Sequence, residues 1–191
     1  MNEQEFALRA GELATRIGYP MPSVAWTDRR GRYVTIDERR VSAPVLLMRP
    51  EVAQWCSSLR DVMIAQTMLC ARFGMYRHHR QLKIWGFGLT AAVALVLGFR
   101  FGSWAYVWPL VAWALLTAAS AIYARRLFRK VDRELIGIFG PAVVLEVLEH
   151  QRCPLTPASF LSWLWGGAGV LPAERIKWLR ASVPGNSSVA D

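Results

Sequence analysis

Cysteine and histidine are scarce in this sequence of 191 residues, which contains three of each. The cysteines, Cys56, Cys70 and Cys153, include no Cys-x-x-Cys pair and no regular spacing. The sequence therefore predicts reduced thiols in a cytoplasmic compartment rather than a secreted domain held by disulfides. The N-terminus also lacks the basic region and apolar core of a secretion signal, so we expect no cleaved signal peptide.

Charge is almost missing from one long stretch of the chain. Between Ile84 and Ala124 the single charged residue is Arg100, although the whole protein contains 23 basic and 14 acidic residues. This stretch contains two apolar runs, 84–100 and 103–124. The second run is long enough to cross a bilayer core of about 30 Å, and the first is somewhat short for it. We predict a tight hairpin of two transmembrane helices. The alternative, a buried hairpin of a soluble protein, requires unusually long and uniformly apolar core helices.

Basic residues flank both apolar runs. Before the first run stand Arg72, Arg77, Arg80 and Lys83, and after the second stand Arg125, Arg126, Arg129, Lys130 and Arg133. Because cytoplasmic loops are enriched in Lys and Arg, this pattern predicts a multi-pass protein of the plasma membrane with both termini in the cytoplasm. The residues predicted to bind anionic lipid headgroups are Arg77, Arg80, Lys83, Arg125, Arg126, Arg129 and Lys130. Topology already explains these charges, so nucleic-acid binding is not expected.

The parts outside the hairpin are predicted to be helical with a few short strands. The N-terminal cytoplasmic part, 1–83, has helical periodicity at 4–17, strand patterns at 23–26, 33–36 and 44–48, and a long helix from Pro50 to about His79. The C-terminal cytoplasmic part, 125–182, has helical patterns at 125–139, 142–150 and 172–180 and precedes a disordered tail, 183–191. The fold class is therefore α+β, a mostly helical membrane protein whose small strand region and helices are split by the hairpin.

Five short segments occur in an informative order. They are Gly18-Tyr-Pro-Met-Pro-Ser-Val24, Ala43-Pro-Val-Leu-Leu-Met48, Leu59-Arg-Asp-Val-Met-Ile-Ala65, Arg129-Lys-Val-Asp-Arg133 and Leu171-Pro-Ala-Glu-Arg-Ile-Lys-Trp-Leu179. In this order and spacing they resemble segments of the membrane zinc metallopeptidases of the HtpX and CAAX prenyl protease type. The resemblance implies a zincin-like fold, in which a His-Glu-x-x-His helix precedes a membrane hairpin and a third ligand, a Glu, lies four residues before an Asp.

The zinc chemistry of that family has no counterpart here. The resemblance aligns the His-Glu-x-x-His positions with residues 66–70, so that Gln66, Thr67 and Cys70 replace the two His ligands and the Glu, and it aligns Phe128 with the third ligand. A catalytic zinc requires three protein ligands and a general base. The resemblance therefore implies an inactive pseudopeptidase with no metal and no other cofactor. The matching Asp132 is either a buried hydrogen-bonded group or a solvated carboxylate paired with Arg129.

Three functions remain compatible with these patterns. The favoured one is a pseudopeptidase that binds a peptide or protein partner at the edge of the strand region. The alternatives are an active zinc metallopeptidase with unrecognised ligands and a structural accessory subunit of a membrane complex. We expect no metal at His78-His79, because adjacent helical residues point about 100° apart. We expect Cys70 to be a core residue rather than a nucleophile.

Overall fold

The computed structural model describes residues 3–28, 33–37, 44–101, 107–151 and 172–182. In chain order the elements are helix α1 (Glu3–Ile17), strands β1 (Ser23–Trp26), β2 (Val34–Asp37) and β3 (Val45–Met48), a 3-10 helix (Pro50–Gln54), and helices α2 (Ser57–Arg72), α3 (Met75–Phe101), α4 (Val107–Phe139), α5 (Pro141–His150) and α6 (Pro172–Ser182). The predicted α+β, mostly helical class is confirmed. The first of two compact units comprises Met1–Gly74, Phe128–Arg152 and Pro172–Asp191, and the second comprises Met75–Leu127 and Cys153–Leu171.

The three strands form one mixed sheet in the order β1-β3-β2. Strand β1 runs parallel to β3, whereas β2 runs antiparallel to β3 with Val34 opposite Met48. In the central strand, Leu46 and Met48 are fully buried and alternate with half-buried neighbours. This period of two is that of a sheet with one face against a core. Both β1 and β2 are therefore edge strands of the sheet that the described residues form.

Helix α1 packs on this sheet through the apolar face that the sequence predicts. Phe6 and Leu13 are fully buried, and the ring of Phe6 meets the ring of Trp26 edge-on at 5.1 Å between centroids. Arg9 links α1 to α2, because its Nη2 lies 2.8 Å from Oδ2 of the buried Asp61. These contacts join the N-terminal helix to both the sheet and the helix that follows it.

The predicted long helix from Pro50 to about His79 is wrong in two places. Pro50 begins a 3-10 helix, and α2 starts only at Ser57. Helix α2 ends at Arg72 because Gly74 adopts a φ of 71°, and its N–H donates to the carbonyl of Ala71 at 2.8 Å. Glycine takes this left-handed conformation without a steric penalty, which makes it the common residue after a helix C-terminus. The chain then continues as a separate helix, α3.

Helix α2 lies at the centre of the first unit. Its side chains Ile64, Met68 and Leu69 are fully buried, as are Val131 and Leu135 of α4. Burying a large aliphatic side chain contributes about 1.5–3 kcal/mol, so this group of residues provides much of the drive for folding. The predicted break between α4 and α5 is present, because Gly140 has a φ of 82° and Pro141 opens α5. The break allows α5 to add three more buried side chains, Val144, Val147 and Leu148.

The second unit exposes its apolar side chains. The large ones that are exposed are Ile84, Trp85, Leu89, Leu95 and Val96 of α3 and Val107, Trp108, Val111, Leu115, Ile122 and Tyr123 of α4. Helix α4 is long and apolar enough to cross a membrane, and 12% of its most apolar stretch is buried. The corresponding apolar part of α3, Ile84–Val96, is shorter. A core helix of a soluble protein is mostly buried, so this exposure favours contact with lipid.

Helices α3 and α4 approach each other within this unit. Gly86 is buried, and a Cβ added to it would lie 3.3 Å from Cδ2 of Leu116. A glycine at such a position allows two helices to come close together. Several predicted features lie wholly or partly outside the described residues. They are the turn between the two apolar runs, of which residues 102 and 103 are not described, Ala43 of the second resembling segment, residues 152–171 with Cys153, the tail 183–191, and the side chains of His78, His79, Arg80 and Lys83.

Candidate functional site

A buried arginine organises the interior of the first unit. Arg175 lies in α6 and is 2% exposed, a rare environment for a guanidinium. Its Nη2 and Nε both donate to Asp132 of α4, with Nε 3.1 Å from Oδ1, and Asp132 is itself 1% exposed. A buried ion pair is tolerated only when further hydrogen bonds satisfy both partners. The neighbouring side chains supply these further hydrogen bonds to Arg175 and Asp132.

Three further side chains complete what we call the Arg175 cluster: Arg175, Asp132, Gln66, Trp178 and Phe128. Gln66 of α2 accepts a hydrogen bond at Oε1 from Nη1 of Arg175 at 3.0 Å. Trp178, one turn along α6 from Arg175, donates from Nε1 to Oδ2 of Asp132 at 3.0 Å. The ring of Phe128, one turn before Asp132 on α4, lies under the guanidinium at 5.0 Å from Cζ. The cluster therefore joins α2, α4 and α6 around one positive charge.

The donors and acceptors of the cluster match each other closely. Both oxygens of Asp132 accept hydrogen bonds, and all three nitrogens of Arg175 donate. Arginine suits this role, because its planar fork of donors pairs with a carboxylate on two sides and stays charged when buried. The aromatic face adds a favourable cation–π contact in a desolvated setting. The alternative of a solvated Asp132 paired with Arg129 is wrong, since Asp132 is buried and pairs with Arg175.

The other two candidate positions on α2, Thr67 and Cys70, are buried, whereas Gln66 is half-buried. Thr67 is 6% exposed and donates from Oγ1 to the carbonyl oxygen of Met63 at 2.8 Å. Cys70 is 2% exposed. Both side chains therefore belong to the packed interior of α2, where a thiol behaves as a small apolar group. Of the candidate residues, Gln66, Phe128 and Asp132 meet in the cluster.

The cluster does not fit a zinc ion. Zinc binds through Cys, His or carboxylate ligands, and a catalytic site needs three of them with an open position. Phe128 has no donor atom, and the acceptor atoms of Gln66 and Asp132 already face a guanidinium. Across the described part of the chain, no three His, Cys, Asp or Glu side chains lie together in a group able to hold a metal. A second cation beside Arg175 would also be repelled.

Sequence reasoning missed Arg175 and Trp178 as site residues. The segment that contains them was noticed only for its resemblance to the closing segment of the peptidases. A signal was present, because Arg175, Trp178 and Leu179 stand three and four residues apart and so share one helix face. An arginine on the apolar side of a short helix indicates a buried partner, and Asp132 was the candidate.

The predicted headgroup residues that the structure describes all lie at the surface. Arg77 of α3 and Arg125, Arg126, Arg129 and Lys130 of α4 are exposed. The ring of Trp178 lies under Arg129, with 5.3 Å between Cζ and the ring centroid. Arg129 thereby touches the Arg175 cluster from outside, because the same indole donates to Asp132. Arg80 and Lys83 remain predictions, since their side chains lie outside the described part.

The thiol of Cys56 is the accessible one of the two described cysteines. It is exposed immediately before α2, and its pKa is lowered by a hydrogen bond with the hydroxyl of Ser58 and then by the backbone N–H of Leu59. Since the thiolate is the reactive form, a lower pKa means a larger reactive fraction near neutral pH. We expect iodoacetamide to modify Cys56 with a half-maximal rate at a lower pH than for free cysteine.

Peptide mapping by mass spectrometry measures this reaction at each cysteine. Ser58→Ala should shift the pH profile of Cys56 upward, because it removes the largest stabilisation of the thiolate. The buried Cys70 serves as an internal control and should react only in denaturant. A Cys56 profile identical in the wild type and in Ser58→Ala would contradict the assigned cause.

Comparison with known proteins adds no family assignment to this geometry. No protein-family model, no curated protein and no solved structure matches this chain.

Proposed function

We propose that this chain is a membrane-anchored pseudopeptidase, a catalytically inactive relative of the HtpX and CAAX prenyl protease type that binds a peptide or protein partner. The observation that carries the proposal is the convergence of Gln66, Phe128 and Asp132 on Arg175. The resemblance assigns the first two positions to zinc ligands and the third to the residue that supports them. Gln66 lies 109 positions before Arg175 in the sequence, so the meeting of these residues in one cluster supports the proposed alignment.

Inactivity follows from the chemistry of the converging groups. A metallopeptidase activates water with a metal ion and a carboxylate base. Here the guanidinium of Arg175 supplies the positive charge of the site, and it cannot bind water as a Lewis acid in the way a metal ion does. Thr67 stands where the resemblance requires the base, and its hydroxyl already donates to the carbonyl oxygen of Met63. The cluster has the hydrogen bonding of a structural core rather than of a hydrolytic site.

Partner binding is proposed for the edge strand β2. This strand is antiparallel to the rest of the sheet, and within the described residues it pairs only on the side of β3. The backbone groups of an edge strand can pair with an extended chain, which is how many domains bind peptides. Tyr33, directly before β2, is 44% exposed and contacts the ring of Trp55 at 5.2 Å between centroids. An aromatic pair beside the edge offers apolar contact to a bound segment.

Membrane anchoring is proposed as a hairpin of α3 and α4 with both termini in the cytoplasm, at the plasma membrane. The exposed apolar side chains of α4, its length and the contact between Gly86 and Leu116 support this arrangement. Long snorkelling side chains can compensate for the shorter apolar part of α3. The excess of Lys and Arg next to both apolar segments supports the orientation.

Metal analysis and a proteolysis assay test the proposed inactivity. We expect full-length protein, purified in a mild detergent and dialysed against zinc, to retain no stoichiometric zinc. It should also leave unfolded casein uncleaved, with or without added zinc. Bound zinc at one equivalent, together with cleavage that a chelator abolishes, would overturn the inactive assignment and favour the alternative of an active metallopeptidase.

Site-specific photocrosslinking tests the proposed binding edge. A benzoylphenylalanine at Thr35, in the middle of β2, should crosslink labelled unfolded casein added to the purified protein. The matched control places benzoylphenylalanine at Leu8, which is 68% exposed on α1 and belongs to none of the proposed binding sites. Equal crosslinking at both positions, or none at Thr35, would contradict peptide binding by the strand edge and favour a purely structural subunit.

A further inference from the structure

From Arg125 to Arg133 the exposed charged residues of α4 are all positive, and the exposed Glu134 follows this segment. Between Val107 and Arg133 the sole acidic residue is Asp132, which is buried and neutralised by Arg175. Arg129, Lys130 and Arg133 are exposed, and none of them forms an ion pair with another residue that the structure describes. The Arg175 cluster therefore neutralises the one carboxylate within the segment 125–133, and the exposed Glu134 is the next acidic residue on α4.

Arg129 and Lys130 of this surface, and the nearby Arg72, lie against aromatic rings. Nζ of Lys130 lies 4.2 Å from the ring centroid of Phe73. Cζ of the exposed Arg72 lies 5.8 Å from the same centroid, while its Nη1 donates to the carbonyl oxygen of Ile17. Arg129 lies over Trp178. A cation over a ring face stays accessible to an anion and loses part of its side-chain freedom in advance. Less entropy is then lost when an anion binds, which strengthens the interaction.

The place of these cations on α4 indicates a lipid rather than another polyanion. Lys130 follows Ala124, the last residue of the uncharged run, by six positions, which is about 9 Å along a helix. The headgroup layer on each side of a bilayer core is about 5–8 Å thick, and the flexible stems of Lys and Arg bridge the remaining distance. Exposed apolar side chains next to these cations favour a lipid and do not favour a nucleic acid.

We propose that Arg72, Arg129, Lys130 and Arg133 form a surface that binds the phosphate groups of anionic membrane lipids. The inference rests on the proposed membrane insertion of α4 and deepens it by naming the lipid class and the residues. It adds Arg72 and Arg133 to the predicted headgroup residues. It also ties lipid binding to the Arg175 cluster, because Arg129 contacts the indole whose N–H donates to Asp132.

Lipid titration of the detergent-purified full-length protein tests the surface. Native mass spectrometry with phosphatidylglycerol, and with phosphatidylcholine of the same acyl chains, measures the affinity for each lipid. The wild type should prefer phosphatidylglycerol. The double variant Arg129→Gln, Lys130→Gln should bind it about 30-fold more weakly, which corresponds to two cations at about 1 kcal/mol each. Binding of phosphatidylcholine should not change.

Arg180→Gln is the matched control for charge. Arg180 is exposed on α6 and pairs with Glu149, away from the proposed surface. Arg180→Gln removes one charge and the double variant removes two. The loss of lipid affinity per removed charge should be much smaller for Arg180→Gln than for the double variant. An equal effect per charge would show a diffuse charge effect and overturn the surface. Competition by inorganic phosphate or by a short single-stranded RNA as effective as by the lipid would equally overturn the assignment to lipids.

Alkaline extraction of native membranes tests the proposed membrane anchoring separately from the proposed lipid-binding surface. Release of the wild-type protein by sodium carbonate would overturn the membrane anchoring and this inference with it. Retention of the protein, combined with an unchanged phosphatidylglycerol affinity in the double variant, would overturn the headgroup surface alone. Retention with the expected loss of affinity supports both.

Discussion

Replacing Arg175 with methionine should destabilise the first unit by about 3–5 kcal/mol, because it leaves the carboxylate of Asp132 buried without its cation. The loss exceeds that of an ordinary core substitution, since Gln66 and Trp178 lose a matched partner as well. Urea unfolding of the protein in detergent, followed by near-UV circular dichroism, measures the change. Arg180→Met is the control, because that exposed pair with Glu149 contributes at most about 1 kcal/mol.

The double variant Arg175→Met, Asp132→Leu separates the effect of buried charge on stability from the effect of side-chain shape. Removing both charges eliminates the unpaired carboxylate, so the double variant should be more stable than Arg175→Met alone. Its stability relative to the wild type then measures the net contribution of the buried pair. If Arg175→Met were no more damaging than Arg180→Met, the cluster would not organise the interior, and the main support for the pseudopeptidase proposal would be lost.

An arginine at position 115 should prevent stable membrane integration. Leu115 is 67% exposed and lies near the middle of the apolar part of α4. Replacing leucine by arginine at the centre of a span costs about 3 kcal/mol on insertion scales, which corresponds to a more than 100-fold lower ratio of inserted to uninserted helix. The fraction of protein that resists carbonate extraction measures the effect.

The same substitution in α3 tests the proposal that α3 crosses the membrane as well as α4. Leu89 is 62% exposed, within the shorter apolar segment Ile84–Val96. A loss of carbonate resistance in Leu89→Arg comparable to that in Leu115→Arg is expected for two spans. Normal integration of Leu89→Arg would leave α4 as a single span and would place the two termini on opposite sides of the membrane. Unchanged integration of Leu115→Arg would argue against a transmembrane α4.

The sequence predicted elements well where one local rule was sufficient. The apolar period of α1 and the break at Gly140-Pro141 depend on residues close together in the chain, and both are present. The long helix from Pro50 failed because two local signals competed. The apolar stripe continued past Arg72, but the conformation of Gly74 ended α2 and separated it from α3. A pattern of side chains carries little information about which glycine adopts a positive φ.

The candidate site was half predictable for a related reason. Gln66, Phe128 and Asp132 were found through the resemblance, which compares positions rather than contacts. Their common partner Arg175 was not identified, since a basic residue in a short helix is usually solvated. Burial of an arginine becomes favourable only when a carboxylate and other acceptors meet it in three dimensions.

The amino-acid sequence by itself determined which segments of this protein are apolar and which are basic, because segment length, hydropathy and flanking charge are local properties. Those local properties also determined most helix and strand positions. Only the tertiary structure decided that Arg175 would meet Asp132, Gln66 and Phe128. The physical reason is that a buried charge is stable only with a complete set of partners, and these partners come from α2 and α4, two helices distant in sequence from Arg175 in α6.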